Sequence, residues 1–275
     1  MLFALTRMRQ NGDYMKITAL VENTAYCENI RAEHGLSLYI ETEKANILFD
    51  MGQSDLVIQN ATTLGIDLKK VDFAILSHGH YDHVGGLLSF RAINPIAPVY
   101  VSPNAFGHFC STKYIGLAPE AKEDENLVFV SKDICPKEGI SILTGDKVPL
   151  AEWQNRGLFK IEKGSSLPDD FLHEIYLSVR EGDKTVLFCG CAHRGVLSIL
   201  SHFTPDVLVG GFHFKNLHPE NEADRNFLIG AAGTFSRHNT IFYTCHCTGD
   251  APFAFLRERL PEKMHYLACG ESIIL

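Results

Sequence analysis

The chain has 275 residues, 45% of them apolar, with 25 Lys and Arg against 33 Asp and Glu for a formal net charge of −8. That is enough apolar material to bury a sizeable core in one domain, while the acidic balance excludes a nucleic-acid surface, which needs clustered cations. No run of like charge makes a tail, and the apolar opening Met1-Leu2-Phe3-Ala4-Leu5 stops at Thr6-Arg7, too short for a signal peptide or a membrane span. Residues 1–14 fit no later pattern and are expected to be an extension. Met15-Lys16-Ile17-Thr18-Ala19-Leu20 begins the first strand of a domain expected over residues 15–275. The next strand, Ile47-Leu48-Phe49, ends at Asp50 and Gly52.

The apolar run Val71-Asp72-Phe73-Ala74-Ile75-Leu76 predicts a buried strand that delivers the segment Ser77-His78-Gly79-His80-Tyr81-Asp82-His83-Val84-Gly85-Gly86. Four side chains that can hold a metal occupy six positions there. In an extended loop, residues two apart point the same way, so His78 and His80 can grip one ion. The Tyr81-Asp82 step then turns the chain and aims Asp82 and His83 at a neighbouring position. Imidazole with carboxylate suits zinc, and also iron or manganese.

Residues 99–172 differ in texture, with strands expected near 127–131 and 140–144 and an excursion at roughly 104–126 that would cover the site. The excursion mixes aromatic residues with Lys113, which suits contact with an anionic ligand. Beyond it, Glu43–Gly52 is echoed by Gly182–Cys191: each is a polar turn, a β-branched strand and a glycine loop. The strands leading to His78 and to His213 correspond in the same way, which predicts two similar halves with their functional loops at one edge.

A single motif supplies too few donors for two ions, so histidines in the same setting become the further candidates. His193 follows the strand Thr185–Phe188 through Cys189-Gly190-Cys191-Ala192, and His246 follows Thr240–Tyr243 through Thr244-Cys245. His34, His108, His173, His202, His218, His238 and His265 lack that setting and read as surface or packing residues. The eight cysteines lie in a mid-sized chain, and Cys189–Cys191 and Cys245–Cys247 are too close for disulfides within each pair. They read as thiols of a reduced, cytoplasmic protein, with those beside His193 and His246 either ligands or small core residues.

The HxHxDH motif after a strand resembles the signature of the metallo-β-lactamase superfamily. Further matches over the chain from Met15 onward resemble its branch named for 7,8-dihydropterin-6-methyl-4-(β-D-ribofuranosyl)aminobenzene-5'-phosphate synthase. They are the segment ending in Gly190-Cys191-Ala192-His193, the segment Gly210-Gly211-Phe212-His213, and His246-Cys247-Thr248-Gly249. The resemblance implies an α/β (α+β) fold, an αββα sandwich of two mixed sheets flanked by helices with a metal site at one edge. It implies His78, His80 and one later histidine on a first ion, and Asp82, His83 and His246 on a second. Asp50 matches the superfamily's first motif and would orient a ligand histidine. Many members carry a bridging aspartate where this chain has Cys191, so the thiol either takes that place or leaves it to water. His213, reached through paired glycines, would hang into the mouth as a proton donor.

Two adjacent divalent ions make hydroxide available at neutral pH, and no GxSxG or phosphate-binding glycine loop offers a rival nucleophile. The expected activity is hydrolysis of a small anionic ester, phosphoester or lactone, with Lys113, Arg194 and Lys215 as candidate anion contacts. The expected partner is a small-molecule substrate, with neither nucleic acid nor membrane. The branch name implies a different reaction, condensation of a dihydropterin pyrophosphate with an aminobenzene riboside phosphate. A di-iron redox protein, told apart by its optical spectrum, and a non-catalytic metal sensor are readings of another class.

Overall fold

The computed structural model describes residues 15–151 and 157–275, so the expected extension at 1–14 lies outside the described residues. The first half supplies β1 (Lys16–Val21), β2 (Ser37–Glu41), β3 (Asn46–Phe49), β4 (Phe73–Leu76), β5 (Val99–Val101), β6 (His108–Cys110) and β7 (Leu127–Phe129). The second supplies β8 (Ile134–Lys137), β9 (Ile140–Thr144), β10 (Phe159–Glu162), β11 (Ser165–Pro168), β12 (Ile175–Glu181), β13 (Lys184–Phe188), β14 (Val207–Gly210), β15 (Ile241–Thr244), β16 (Met264–Tyr266) and β17 (Ser272–Ile274). Among the described residues six α-helices lie between them: α1 (Leu56–Thr63), α2 (Tyr81–Val84), α3 (Leu87–Ile93), α4 (Val196–Phe203), α5 (Glu222–Arg237) and α6 (Asp250–Arg259).

Two seven-stranded mixed sheets result, in the orders β17-β1-β2-β3-β4-β5-β7 and β16-β15-β14-β13-β12-β9-β8. Strand alternation explains how they stack. Ile47, Phe49, Phe73 and Ile75 of the first sheet meet Val186, Phe188, Val207 and Val209 of the second in one apolar layer. The alternate residues Leu48, Ala74 and Leu76 face outward onto Val57 and Ala61 of α1 and Leu87 and Phe90 of α3. On the other side Leu187, Leu208 and Phe242 face Ile199 of α4, Leu228 and Phe235 of α5 and Leu256 of α6. A strand apolar on every residue is one buried on both faces, as the run ending in Leu76 required. The four layers are the αββα sandwich expected from the sequence.

The internal echo is visible in the pairing. β2–β3 is antiparallel and β3–β4–β5 parallel, while β12–β13 is antiparallel and β13–β14–β15 parallel. Registers such as Phe49 with Ile75, and Phe188 with Val209 and Tyr243, bring the carboxyl ends of these strands level. Loops that leave there sit side by side at one edge of the sandwich.

The strands expected near 127–131 and 140–144 are β7 and β9. Pairing of the excursion with residues 159–168 was not expected: β6 lies against β10, which pairs with β11, in a small third sheet. Among the described residues no helix is long and apolar enough to cross a membrane.

Candidate metal centre

β4 ends at Leu76, His80 is still extended (φ −98°, ψ 141°), and α2 begins at Tyr81. The turn therefore falls where the motif required it, with His78 and His80 before it and Asp82 and His83 after. Gly79 is held from the far side of the loop, because its N–H donates to His173 Nδ1 at 3.0 Å. A Cβ at Gly79 would lie 2.2 Å from the Ala105 carbonyl oxygen, so only glycine fits.

His193 joins His78 and His80 from the second sheet, with one ring nitrogen of each within 4.8 Å of the others. All three are buried, and His78 Nε2, His80 Nε2 and both His193 nitrogens have no hydrogen-bond partner among the described residues. A buried polar atom without a partner costs about 1–3 kcal/mol, and three whose lone pairs converge suit a cation. Burial and neighbouring imidazoles push the histidines down, His80 to about 3 and His78 and His193 well below the ordinary value. Each is therefore the neutral ring that a metal requires.

Beside this triad lies a second set of donors. His246 Nε2 is 3.2 Å from His83 Nε2 and 3.4 Å from Asp82 Oδ2, and Cys191 Sγ is 3.2 Å from His83 Nε2. Burial pushes the Asp82 carboxyl up, but His83, His246 and His34 around it more than reverse this and hold it well below the usual range. His83 is raised, because Asp50 and Asp82 outweigh its burial.

Non-ligating groups fix which nitrogen of each ring faces the centre. Asp50 is fully buried and accepts from Ser77 N, Ser77 Oγ and His83 Nδ1, each at 2.7 Å. A carboxylate only accepts, so His83 carries its proton on Nδ1 and turns the Nε2 lone pair inward. Ser77, having given its proton to Asp50, accepts from His78 Nδ1 at 2.8 Å, with the same result for His78. His246 donates from Nδ1 to Asn23 Oδ1 at 2.9 Å, and its backbone N–H donates to Glu22 Oε1 at 2.6 Å. The His193 N–H donates to Glu174 Oε1 at 2.7 Å, and its ring stacks on Phe171 at 4.6 Å.

Gly210 and Gly211 carry the chain to His213 so closely that a Cβ on either would strike Cys189 O at 1.9 Å or Cys247 Sγ at 2.4 Å. The His213 ring then lies 4.4 Å from that of His193 and lines a cavity of about 320 Å³ over the donors. Lys113 and Ser111 of the excursion line the same cavity, as do Tyr81, Asp82 and Lys215. Lys113 Nζ sits 5.4 Å from the Tyr81 ring centroid. The four thiols near the ligands divide into two pairs: Cys191 and Cys247 group with His213, whereas Cys189 and Cys245 are packed in the two cores.

Three expectations need correction. Arg194 is buried and turned from the cavity, its guanidinium bound to the carbonyls of Val148 (2.8 Å) and Asp170 (2.6 Å), so it ties loops together and is not free to hold an anion. His34 is no ordinary surface residue: its Nε2 lies 3.1 Å from Asp82 Oδ2 at the cavity wall. Nor is His173 ordinary packing, since with its Nε2 at 3.2 Å from Asp169 Oδ2 it pins the loop between two candidate ligands.

Residues 30–232 match the model of the metallo-β-lactamase superfamily. The chain belongs to that superfamily. It is 26% identical to 7,8-dihydropterin-6-methyl-4-(β-D-ribofuranosyl)-aminobenzene-5'-phosphate synthase of Methanocaldococcus jannaschii, over 95% of this chain and 97% of that one. An uncharacterized protein of the same organism is 28% identical over 85% of this chain and 90% of its own. Among solved structures, Tm1679, described as a metal-dependent hydrolase of the β-lactamase superfamily, superposes with a TM-score of 0.78 at 26% identity, covering 94% of this chain and 98% of that one. Zinc-bound PqqB of Methylobacterium extorquens shares the fold at a TM-score of 0.60 and 13% identity, over 94% and 100% of the two chains.

Proposed function

We propose that this chain is a metal-dependent hydrolase acting on a small anionic ester, phosphoester or lactone. The observation that carries the reading is the convergence of buried, partnerless nitrogens of His78, His80 and His193 beside the donors Asp82, His83 and His246. Two divalent ions held there, zinc by this donor set and iron or manganese by the same imidazoles and carboxylate, would supply a nucleophile from water and polarise a substrate oxygen. The chain's own residues do the rest. Asp50 and Ser77 keep His78 and His83 in the ligating tautomer, and Asn23 does so for His246. Lys113 and Lys215, with no acidic partner among the described residues, face the cavity and offer their ammonium groups to an anion. His213, half-buried at the mouth beside His193, is placed to give a proton to the leaving group. Cys191, at 3.2 Å from His83 Nε2, would take the part of the superfamily's bridging carboxylate, giving up its thiol proton when the ions bind. The excursion at 104–126 restricts the mouth to small molecules through Ser111, Lys113 and Ile115.

The test is metal analysis of protein purified without chelator, followed by a panel of phosphodiesters, phosphomonoesters and lactones. His78→Ala should lose metal and activity together. An unaltered metal content in that variant would defeat the reading.

The synthase from M. jannaschii supports a second reading, because it aligns with nearly the whole of both chains. Under it the same donors and lysines would serve a pterin condensation. Supplying a dihydropterin pyrophosphate and an aminobenzene riboside phosphate, and assaying for their joined product, separates the two.

A further inference from the structure

His34 was not expected at the centre, yet it is one of three residues whose donor atoms, with those of Asp82 and His246, fall within 4.8 Å of one another. We propose that His34 is a further imidazole ligand of the second metal position, on its cavity side. The proposal rests on the two-ion reading above.

Distances carry it. A tetrahedral ion with bonds of ~2.0–2.1 Å sets its donors about 3.3 Å apart. His34 Nε2 to Asp82 Oδ2 is 3.1 Å, His246 Nε2 to Asp82 Oδ2 is 3.4 Å, and His83 Nε2 to His246 Nε2 is 3.2 Å. His34, Asp82 and His246 thus offer three donor atoms within 4.8 Å of one another, and His83 adjoins this set through His246. Imidazole with carboxylate suits a divalent ion such as zinc, iron or manganese.

The loop that presents His34 is fixed by its neighbours. Leu36 N–H donates to the Asp82 carbonyl at 3.1 Å, so the residues around His34 are bound to the backbone of the residue it faces. Gly35 is required there, since a Cβ would lie 2.7 Å from Asp82 O. Glu33 accepts from Gln53 N, Ser54 N and Ser54 Oγ. Asn23 Oδ1 takes both the Gly35 N–H (3.4 Å) and the His246 Nδ1 proton (2.9 Å), so one side chain registers the His34 loop and His246 together. A histidine at the surface by chance would need none of this. The side chain nevertheless stays 39% exposed, on the wall of the cavity from which substrate would approach.

A simpler role would be a hydrogen bond from His34 that orients the Asp82 carboxylate. Glutamine can donate from about the same place as Nε2 and separates the two. Zinc titration of the chelator-treated full chain by calorimetry should show two uptake events in the parent. His34→Ala and His34→Gln should both keep the first event, which also reports that the protein is folded. Both should weaken the second by more than the ~10–100-fold that loss of a merely orienting neighbour costs. Recovery of the second event in His34→Gln, or an unchanged second event in His34→Ala, would overturn the ligand assignment while leaving the two-ion reading intact. A parent that takes up a single zinc would overturn both.

Discussion

Replacing Asp50 by Asn changes one atom and should disable two ligands at once. The carboxylate takes the Ser77 N–H on Oδ1, and the Ser77 hydroxyl and His83 Nδ1–H on Oδ2, all at 2.7 Å. The backbone N–H cannot become an acceptor, so the amide oxygen of Asn must occupy the Oδ1 place and its NH₂ the other. Facing that NH₂, the Ser77 oxygen accepts and its hydroxyl turns to donate to His78 Nδ1. His83 Nδ1 must likewise accept. Each ring then carries its proton on Nε2, the nitrogen aimed at the metal positions. Restoring the ligating tautomer breaks one buried hydrogen bond per ring, about 1–3 kcal/mol each. Because His78 and His83 serve different ions, each position loses ~1–3 kcal/mol, or between about fivefold and 140-fold in affinity at ~1.4 kcal/mol per decade. No volume is lost, so no cavity opens and the metal-free protein should still unfold cooperatively. Competition with a chromophoric chelator measures the zinc affinity, and urea unfolding of the metal-free protein checks the fold. An Asp50→Asn protein that binds zinc within threefold of the parent would show the tautomer argument to be wrong.

Acidification should destabilise the metal-free protein. His78, His80, His193 and His246 are all lower when folded, His80 at about 3, so below the unfolded value of ~6.5 the unfolded chain binds more protons and stability falls with falling pH. The loss approaches ~1.4 kcal/mol per pH unit for His80 alone between ~6.5 and 3, against an opposing raised His83; a urea midpoint unchanged or higher at pH 5.5 than at 7.5 would refute it. His193→Ala should reduce metal content, whereas His213→Ala should keep the metal and lose ~10²–10⁴-fold in rate. The reverse pattern would exchange ligand and proton donor. Lys113→Ala with Lys215→Ala should raise KM for anionic substrates at least about tenfold, the value of ~1.5–3 kcal/mol for a charged hydrogen bond. It should leave a neutral ester unaffected, and equal losses on both would deny the lysines a role in charge recognition.

What the sequence disclosed of this centre depended on direction along the chain. His78, His193 and His246 all follow an apolar strand into a loop, and β4, β13 and β15 do end where those loops begin. His34 and His173 precede strands β2 and β12, so the same rule passed over them. Contacts distant in sequence, among them Leu36 N–H to Asp82 O and Gly79 N–H to His173 Nδ1, bring them to the site. Arg194 failed for the opposite reason: nearness in sequence to His193 says nothing of side-chain direction, and its backbone N–H is drawn to Glu174 at 3.2 Å while the guanidinium runs to Val148. In the small sheet of β6, β10 and β11 the signal was short, since β6 has three residues and Ser165–Pro168 is exposed throughout.

The backbone around these candidate donors gives the buried carboxylates beside them, Asp50, Glu22, Glu174 and Asp169, a structural task. Asp50 (φ 58°), Phe171 (51°), Ala192 (49°), His213 (54°) and His246 (50°) all lie in the left-handed region, each within or beside the site. Non-glycine residues there cost of the order of 1–3 kcal/mol each and persist only where their surroundings over-determine them. The determinants are visible. Asp50 holds its own turn with three accepted bonds, and Glu22 and Asn23 hold His246. Glu174, fully buried, accepts from the N–H groups of His193 and Arg194 and from the Tyr176 hydroxyl, fixing the loop that follows Ala192. Asp169 accepts from the Phe171 N–H at 2.9 Å and from His173. Donors from the first sheet, His78, His80, Asp82 and His83, thereby meet His193 and His246 from the second with little freedom left to either set. A cation seated between them links the two sheets at their shared edge, so the energy held in the strained loops is matched by contacts that exist only when both halves of the sandwich are in register.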